Sequence, residues 1–179
     1  MTNKTTLKTT TIIAVLAFAT FFVATGAYSM FNSNSITNNL VFAQMQPKIF
    51  DAKLTGKDEV PSKVTKATGT AHVIAVNGNT ISYTVNVKDM QKVTEAHIHQ
   101  GKAGVNGPVV VTLFKTTHPS ATTSGTLAKG TITSANLEGP LAGKKITDLV
   151  SLLKSGNAYV NVHTEANPKG EIRGQLSAM

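Results

Sequence analysis

Residues 70–87 read TAHVIAVNGNTISYTVNV, and the fold is decided by how this stretch is read. From Ile81 to Val87 the odd positions are apolar or aromatic and the even ones polar. Side chains on a strand point alternately to opposite faces, so the pattern describes a half-buried strand. Asn77-Gly78 separates it from a second run rich in Val, Ile and Ala. Both turn residues tolerate positive φ, which predicts a tight hairpin there. Working outward, strand patterns recur over 49–54, 93–99, 109–114, 125–132, 158–163 and 172–176. Asn106-Gly107-Pro108 and Asn167-Pro168-Lys169-Gly170 have turn composition. One segment, 146–156, has helical spacing instead. Ile146, Leu149, Val150 and Leu153 share a face, Thr147 is placed to cap the start, Asp148 suits the first turn and Gly156 the end. Seven or eight short strands with one small helix predict an all-β, antiparallel, immunoglobulin-like β-sandwich.

An export signal precedes this domain. Residues 1–11 carry Lys4 and Lys8 and no acids, and an uncharged, largely apolar run follows from Ile12 to Phe31. Two outcomes compete. The segment is cleaved as a signal peptide, after Val41-Phe42-Ala43 or earlier after Ala27. Alternatively it stays as a membrane anchor, because about 20 apolar residues can span a bilayer. The chain then divides into 1–43, a signal peptide or anchor with an Asn/Ser-rich linker, and a domain over 48–177. Lysines before the apolar run put the N-terminus inside and the domain outside the cytoplasm in either case, secreted or held at the cell surface.

The chain has no cysteine, which excludes disulfides, thiolate metal sites and cysteine nucleophiles. Its formal charge is +8 over 179 residues, but the basic residues are scattered and only Lys144-Lys145 are adjacent. Nucleic-acid binding calls for a dense basic stripe or a recognisable motif, and neither is present. A dispersed basic surface fits weak attraction to anionic polymers or lipid head groups.

The residues that suggest chemistry are histidines. In Ala96-His97-Ile98-His99-Gln100-Gly101 the two imidazoles are spaced i, i+2 on a predicted strand and leave on the same side. His163 closes another predicted strand. Copper and zinc both accept neutral imidazole, and three such ligands leave a position open. Two histidines at this spacing also occur without a metal, bonded to loops or facing water. Ala96 and Ile98 are expected to face the core, with the histidine side open to solvent or a cleft. His72 reads as an outward strand residue and His118, in a polar loop, as a candidate fourth ligand. Glu165 and Glu171 are candidates to orient an imidazole. Asp58-Glu59 lies in a turn-rich loop, where adjacent carboxylates usually diverge. No serine lies in a nucleophile elbow, and no glycine loop suits a phosphate.

Taken together, Leu54-Thr-Gly-Lys-Asp-Glu-Val-Pro61, Ala67-Thr-Gly-Thr-Ala71, Ala96-His-Ile-His-Gln-Gly101, Gly107-Pro-Val-Val-Val111, Leu113-Phe114, Gly139-Pro-Leu-Ala-Gly143, Tyr159-Val-Asn-Val-His-Thr164 and Asn167-Pro-Lys-Gly-Glu-Ile-Arg-Gly-Gln175 resemble the CHRD domain, the chordin-type domain. The resemblance covers about residues 48–176. It departs at Ser62, where the pattern has a second proline. It implies an extracellular or cell-surface domain and carries no established activity. More distantly, the His-x-His strand and the later Val-x-Val-His strand are similar to copper–zinc superoxide dismutase, also an antiparallel sandwich. That likeness implies copper ligands at His97, His99 and His163, with Arg173 near the open coordination position. The histidine-rich zinc loop, the bridging histidine and the disulfide are all missing. Three functions follow as expectations: a cofactor-free module binding an extracellular protein or polymer, a mononuclear copper or zinc protein, and a copper-dependent redox protein.

Overall fold

The computed structural model describes residues 47–179; the segment read as an export signal and both expected cleavage positions lie outside them. Nine strands form: β1 Lys48–Thr55, β2 Thr68–Asn77, β3 Thr80–Met90, β4 Val93–Gln100, β5 Val109–Lys115, β6 Thr123–Ile132, β7 Ala158–Thr164, β8 Ile172–Gln175 and β9 Ser177–Ala178. Among the described residues one helix, α1, spans Ile146–Lys154, and three single 3₁₀ turns occupy Gly56–Asp58, Ser134–Asn136 and Gly139–Leu141.

The strands run in the order β5-β4-β7-β8-β1-β2-β3-β6, with β9 added on β1. Each neighbouring pair is antiparallel. The sheet folds over on itself into a nearly closed sandwich. One half is β5-β4-β7-β8 and the other β1-β2-β3-β6, joined where Thr55 pairs with Arg173. At the far side β5 and β6 come together, and Tyr83 on β3 donates its hydroxyl to the Leu113 carbonyl on β5 at 2.8 Å.

The alternation read from the sequence builds the core. Phe50, Ala52 and Leu54 point inward from β1, Ile81, Val85 and Val87 from β3, and Ala96 and Ile98 from β4. Removing these apolar side chains from water drives the two halves together. The helix adds Ile146, Leu149 and Leu153 from one face.

Two local expectations are corrected. The β2–β3 turn is Gly78-Asn79 rather than Asn77-Gly78, because Asn77 already pairs with Thr80. The helix begins before Thr147, with Lys145 as its cap residue. The Lys145 backbone N–H donates to the Asp148 carboxylate at 2.8 Å, so Asp148 satisfies the terminus from inside the first turn. Gly156 closes the helix as expected, at φ +65°.

Strand β7 departs most from simple alternation, since all seven of its residues are buried. Ala158, Val160 and Val162 face the core. The outward Tyr159, Asn161 and His163 lie beneath two loops, residues 56–67 and 101–108. Glu171 ties down the first loop by accepting hydroxyls from Thr65 and Thr164, both at 2.7 Å. Arg173 holds the second by donating to the Lys102 and Val105 carbonyls and to Asn106 Oδ1. Asn106 in turn donates to the Val60 carbonyl at 2.8 Å, linking the loops.

Gly174 lies at the join between the halves, where an added Cβ would collide with the Lys53 carbonyl oxygen. Backbone cannot yield as a side-chain tip does. Gly174→Ala is therefore expected to lower unfolding stability by about 2 kcal/mol in urea titration, within the range for overpacked cores. A loss below about 0.5 kcal/mol, the scale of ordinary surface changes, would show that the join is loose.

Candidate metal centre

The pairing of β4 with β7 assembles the site. Glu95 lies opposite His163, His97 opposite Asn161 and His99 opposite Tyr159. All six side chains therefore leave on the outer face, over which the two loops lie. On its other edge β4 meets β5 with register shifts between Ala96 and His97 and between Ile98 and His99. Such irregularities re-aim side chains, and here one falls immediately before each histidine.

One ring nitrogen from each of His97, His99 and His163 lies within 4.8 Å of the others. The tightest approach is 3.1 Å, between His97 Nδ1 and His163 Nε2. Ligands 2.0–2.1 Å from a shared zinc lie at most about 4.2 Å apart. The widest separation therefore needs to close by at least about half an ångström to hold an ion.

Hydrogen bonds behind the rings fix their orientation. The Gly107 carbonyl lies 2.9 Å from His99 Nδ1 and the Pro168 carbonyl 3.0 Å from His163 Nδ1. A carbonyl only accepts, so both Nδ1 atoms carry the proton and both Nε2 atoms present lone pairs. His97 Nε2 is 3.6 Å from Glu95 Oε2, which leaves His97 Nδ1 directed at His163. Among the described residues the buried His99 Nε2 has no hydrogen-bond partner. A nitrogen of this kind, backed by a carbonyl on the other side of its ring, is how proteins present histidine to a metal.

The electrostatics agree. Burial, helped by the neighbouring His163 and His99 rings, pushes His97 down to about 4. Burial also lowers His99 and His163, although the Gly107 and Pro168 carbonyls oppose it. All three rings are neutral at pH 7, the form that binds metal. Glu95 is held below the usual carboxylate range by its 2.8 Å contact with Lys115, and so stays charged beside the rings.

The histidine face is thus buried rather than open: His97 and His163 are 7% and 8% exposed. His72 does face outward, with its Nδ1 2.7 Å from Asp51. His118 is not in the group; it lies on an exposed loop, bonded to Thr117. Glu165 and Glu171 do not orient the imidazoles. Glu165 pairs with Lys92 at 2.7 Å and Glu171 holds the threonines. Backbone carbonyls take that role instead. Asp58 and Glu59 diverge as expected, Asp58 exposed and bonded to Thr55, Glu59 buried.

Glu95, Tyr159 and Asn161 belong to the site and were not singled out from the sequence. The signal was present, because each lies two or four residues from a chosen histidine on the same strand face. The Tyr159 ring stacks on His99, with centroids 4.8 Å apart and planes 5° apart, and its hydroxyl accepts the Gly107 N–H at 3.1 Å. Asn161 Nδ2 donates to Glu59 Oε1 at 2.5 Å.

The chain matches the CHRD domain over residues 50–176 and belongs to that family. No curated protein and no solved structure matches it. The more distant likeness to copper–zinc superoxide dismutase is not borne out. Arg173, which that likeness sets by an open coordination position, turns its charge to the 101–108 loop and lies 3.4 Å over the Tyr159 ring.

Glu59 gives this region a pH signature. Burial raises it to about 7, against the opposing pull of Arg173 and Lys63. A carboxyl raised in the folded state contributes most below its unfolded pKa of about 4.5, and that contribution is lost as pH rises through 7. The histidines act with the opposite sign at lower pH, so the comparison is made between chains. Glu59→Gln is expected to gain on the order of 1 kcal/mol over wild type at pH 8 and nothing at pH 4.5. Parallel stability–pH curves for the two chains would contradict a buried, titrating Glu59.

Proposed function

We propose that this CHRD-family domain works outside the cytoplasm as a metal-binding module, holding one copper or zinc ion through His97, His99 and His163. One observation carries the reading. Two imidazoles are locked by backbone carbonyls so that their Nε2 lone pairs face inward, and one of these, on His99, is buried with no hydrogen-bond partner among the described residues. A histidine packed for structure alone would be expected to bond through both nitrogens or reach water.

Three neutral imidazoles suit both zinc and copper. Glu95 would add a negative charge behind His97, raising its basicity as a ligand and offsetting part of the ion's charge. A place outside the cytoplasm rests on the basic-then-apolar N-terminal segment together with the family. The surface role, contact with an extracellular protein or polymer, rests on the same footing. A copper-dependent redox activity is the alternative for the same centre, and a dismutation rate no higher than that of free copper would remove it.

The metal reading predicts uptake of one equivalent of copper or zinc by the full chain in calorimetric titration. An ion that binds only the folded state stabilises it by about 2.7 kcal/mol at a hundredfold excess over Kd, which appears as a rise in Tm. The double change His97→Ala, His99→Ala is expected to abolish both effects while the apo chain stays folded. No uptake at micromolar metal, or equal uptake by the double variant, would end this reading and leave a cofactor-free binding module.

A further inference from the structure

We infer that Asn161 selects the ligand at the open position of the histidine centre, and that this ligand is an O–H or N–H donor, with water as the first case. This deepens the metal reading and rests on it.

Asn161 is the cross-strand partner of His97 and stands two residues before His163 on the same face, so it borders the centre from both strands. Its side chain is 3% exposed. The amide nitrogen donates to Glu59 Oε1 at 2.5 Å. Glu59 Oε1 accepts this N–H, which holds the NH₂ end and turns Oδ1 away from the carboxyl. Gly170 lies against this pair, at φ +123°, where a Cβ would strike both the amide nitrogen and the Glu59 carboxyl. The amide is therefore fixed in one orientation.

Asn161 Oδ1 is buried and has no hydrogen-bond partner among the described residues. Among the described residues three buried side-chain atoms of this face have no hydrogen-bond partner, His99 Nε2, Asn161 Oδ1 and, opposite Tyr159, Gln175 Oε1; the first two are complementary in what they want. The nitrogen wants an electron-pair acceptor and the oxygen wants a proton. An ion bearing a water would satisfy both: three imidazoles leave a tetrahedral ion one further position, and a water there would donate an O–H to the amide of the residue paired with His97. The other acceptors near the rings are engaged: Gly107 and Pro168 hold imidazole N–H groups, and Glu95 holds Lys115. A ligand without a proton, such as azide, would set its negative charge against the negative end of the Asn161 amide.

The test uses the full chain loaded with Cu(II) and titrated with azide, followed by the charge-transfer absorption. Asn161→Leu is made alone and together with Glu59→Gln, which removes the buried carboxyl that leucine would leave unpaired. Loss of one hydrogen bond that only water makes is expected to strengthen azide binding about fivefold or more over wild type. Unchanged or weaker azide binding overturns the inference. Should neither variant fold, the metal-loaded wild type decides by crystallography. An ion-bound oxygen or nitrogen within hydrogen-bond reach of Asn161 Oδ1 supports the inference. A fourth ligand from the protein, or an exogenous atom more than about 3.5 Å from that oxygen, overturns it. A wild-type chain that takes up no metal removes the metal reading and this inference together. Uptake with unchanged azide affinity removes the inference alone.

Discussion

The Arg173 guanidinium lies flat over the Tyr159 ring and gives its hydrogen bonds to Lys102, Val105 and Asn106. That contact pins the 101–108 loop across the outer face of β7. Arginine suits the position because its planar group can stack and donate along its edge at once. Once the loop is down, the Gly107 N–H reaches the Tyr159 hydroxyl and the Gly107 carbonyl reaches His99. The Asn106 amide carries the restraint on to the neighbouring loop. The buried, neutral histidines and the fixed Asn161 amide are consequences of this closure.

Closing two loops over a polar sheet face has a cost. Each buried donor or acceptor left without a partner is destabilising by about 1–3 kcal/mol. The face answers this nearly everywhere: Arg173 is bonded to the loop, Glu171 to two threonines, and Glu59 to Asn161. Among the described residues the exceptions on this face are His99 Nε2, Asn161 Oδ1 and Gln175 Oε1. Two of these belong to the histidine strand pair, on His99 and on the cross-strand partner of His97, and natural sequences depart from local consistency mainly at functional positions.

How much of this was legible in the sequence can be followed residue by residue. The alternation in 81–87 is visible because period-2 burial is a local property of a strand, and β3 formed where it was read. The hairpin was placed one residue early, since Asn77, Gly78 and Asn79 all suit a turn and only the register with Thr80 chooses among them. The helix was found from its apolar spacing, but its start was missed: Lys145 is not a usual cap residue, and Asp148 supplies the acceptor. The candidate ligands were visible as a pair plus one. Their orienting groups were not, because a backbone carbonyl such as Gly107 or Pro168 leaves no trace in residue identity.

The sequence by itself determined the strand pattern, the family and the fact that His97 and His99 leave one strand on a common side, because each of these depends on neighbours along the chain. Tertiary structure alone decided that His163 joins them, since that requires β7 to pair with β4 at a register set by core packing some 65 residues away. It also decided that the face is buried, which follows from loops held by Arg173 and Glu171. Burial then fixes the charge state of the histidines, because desolvation depends on everything that surrounds a group and not on the residues beside it in sequence.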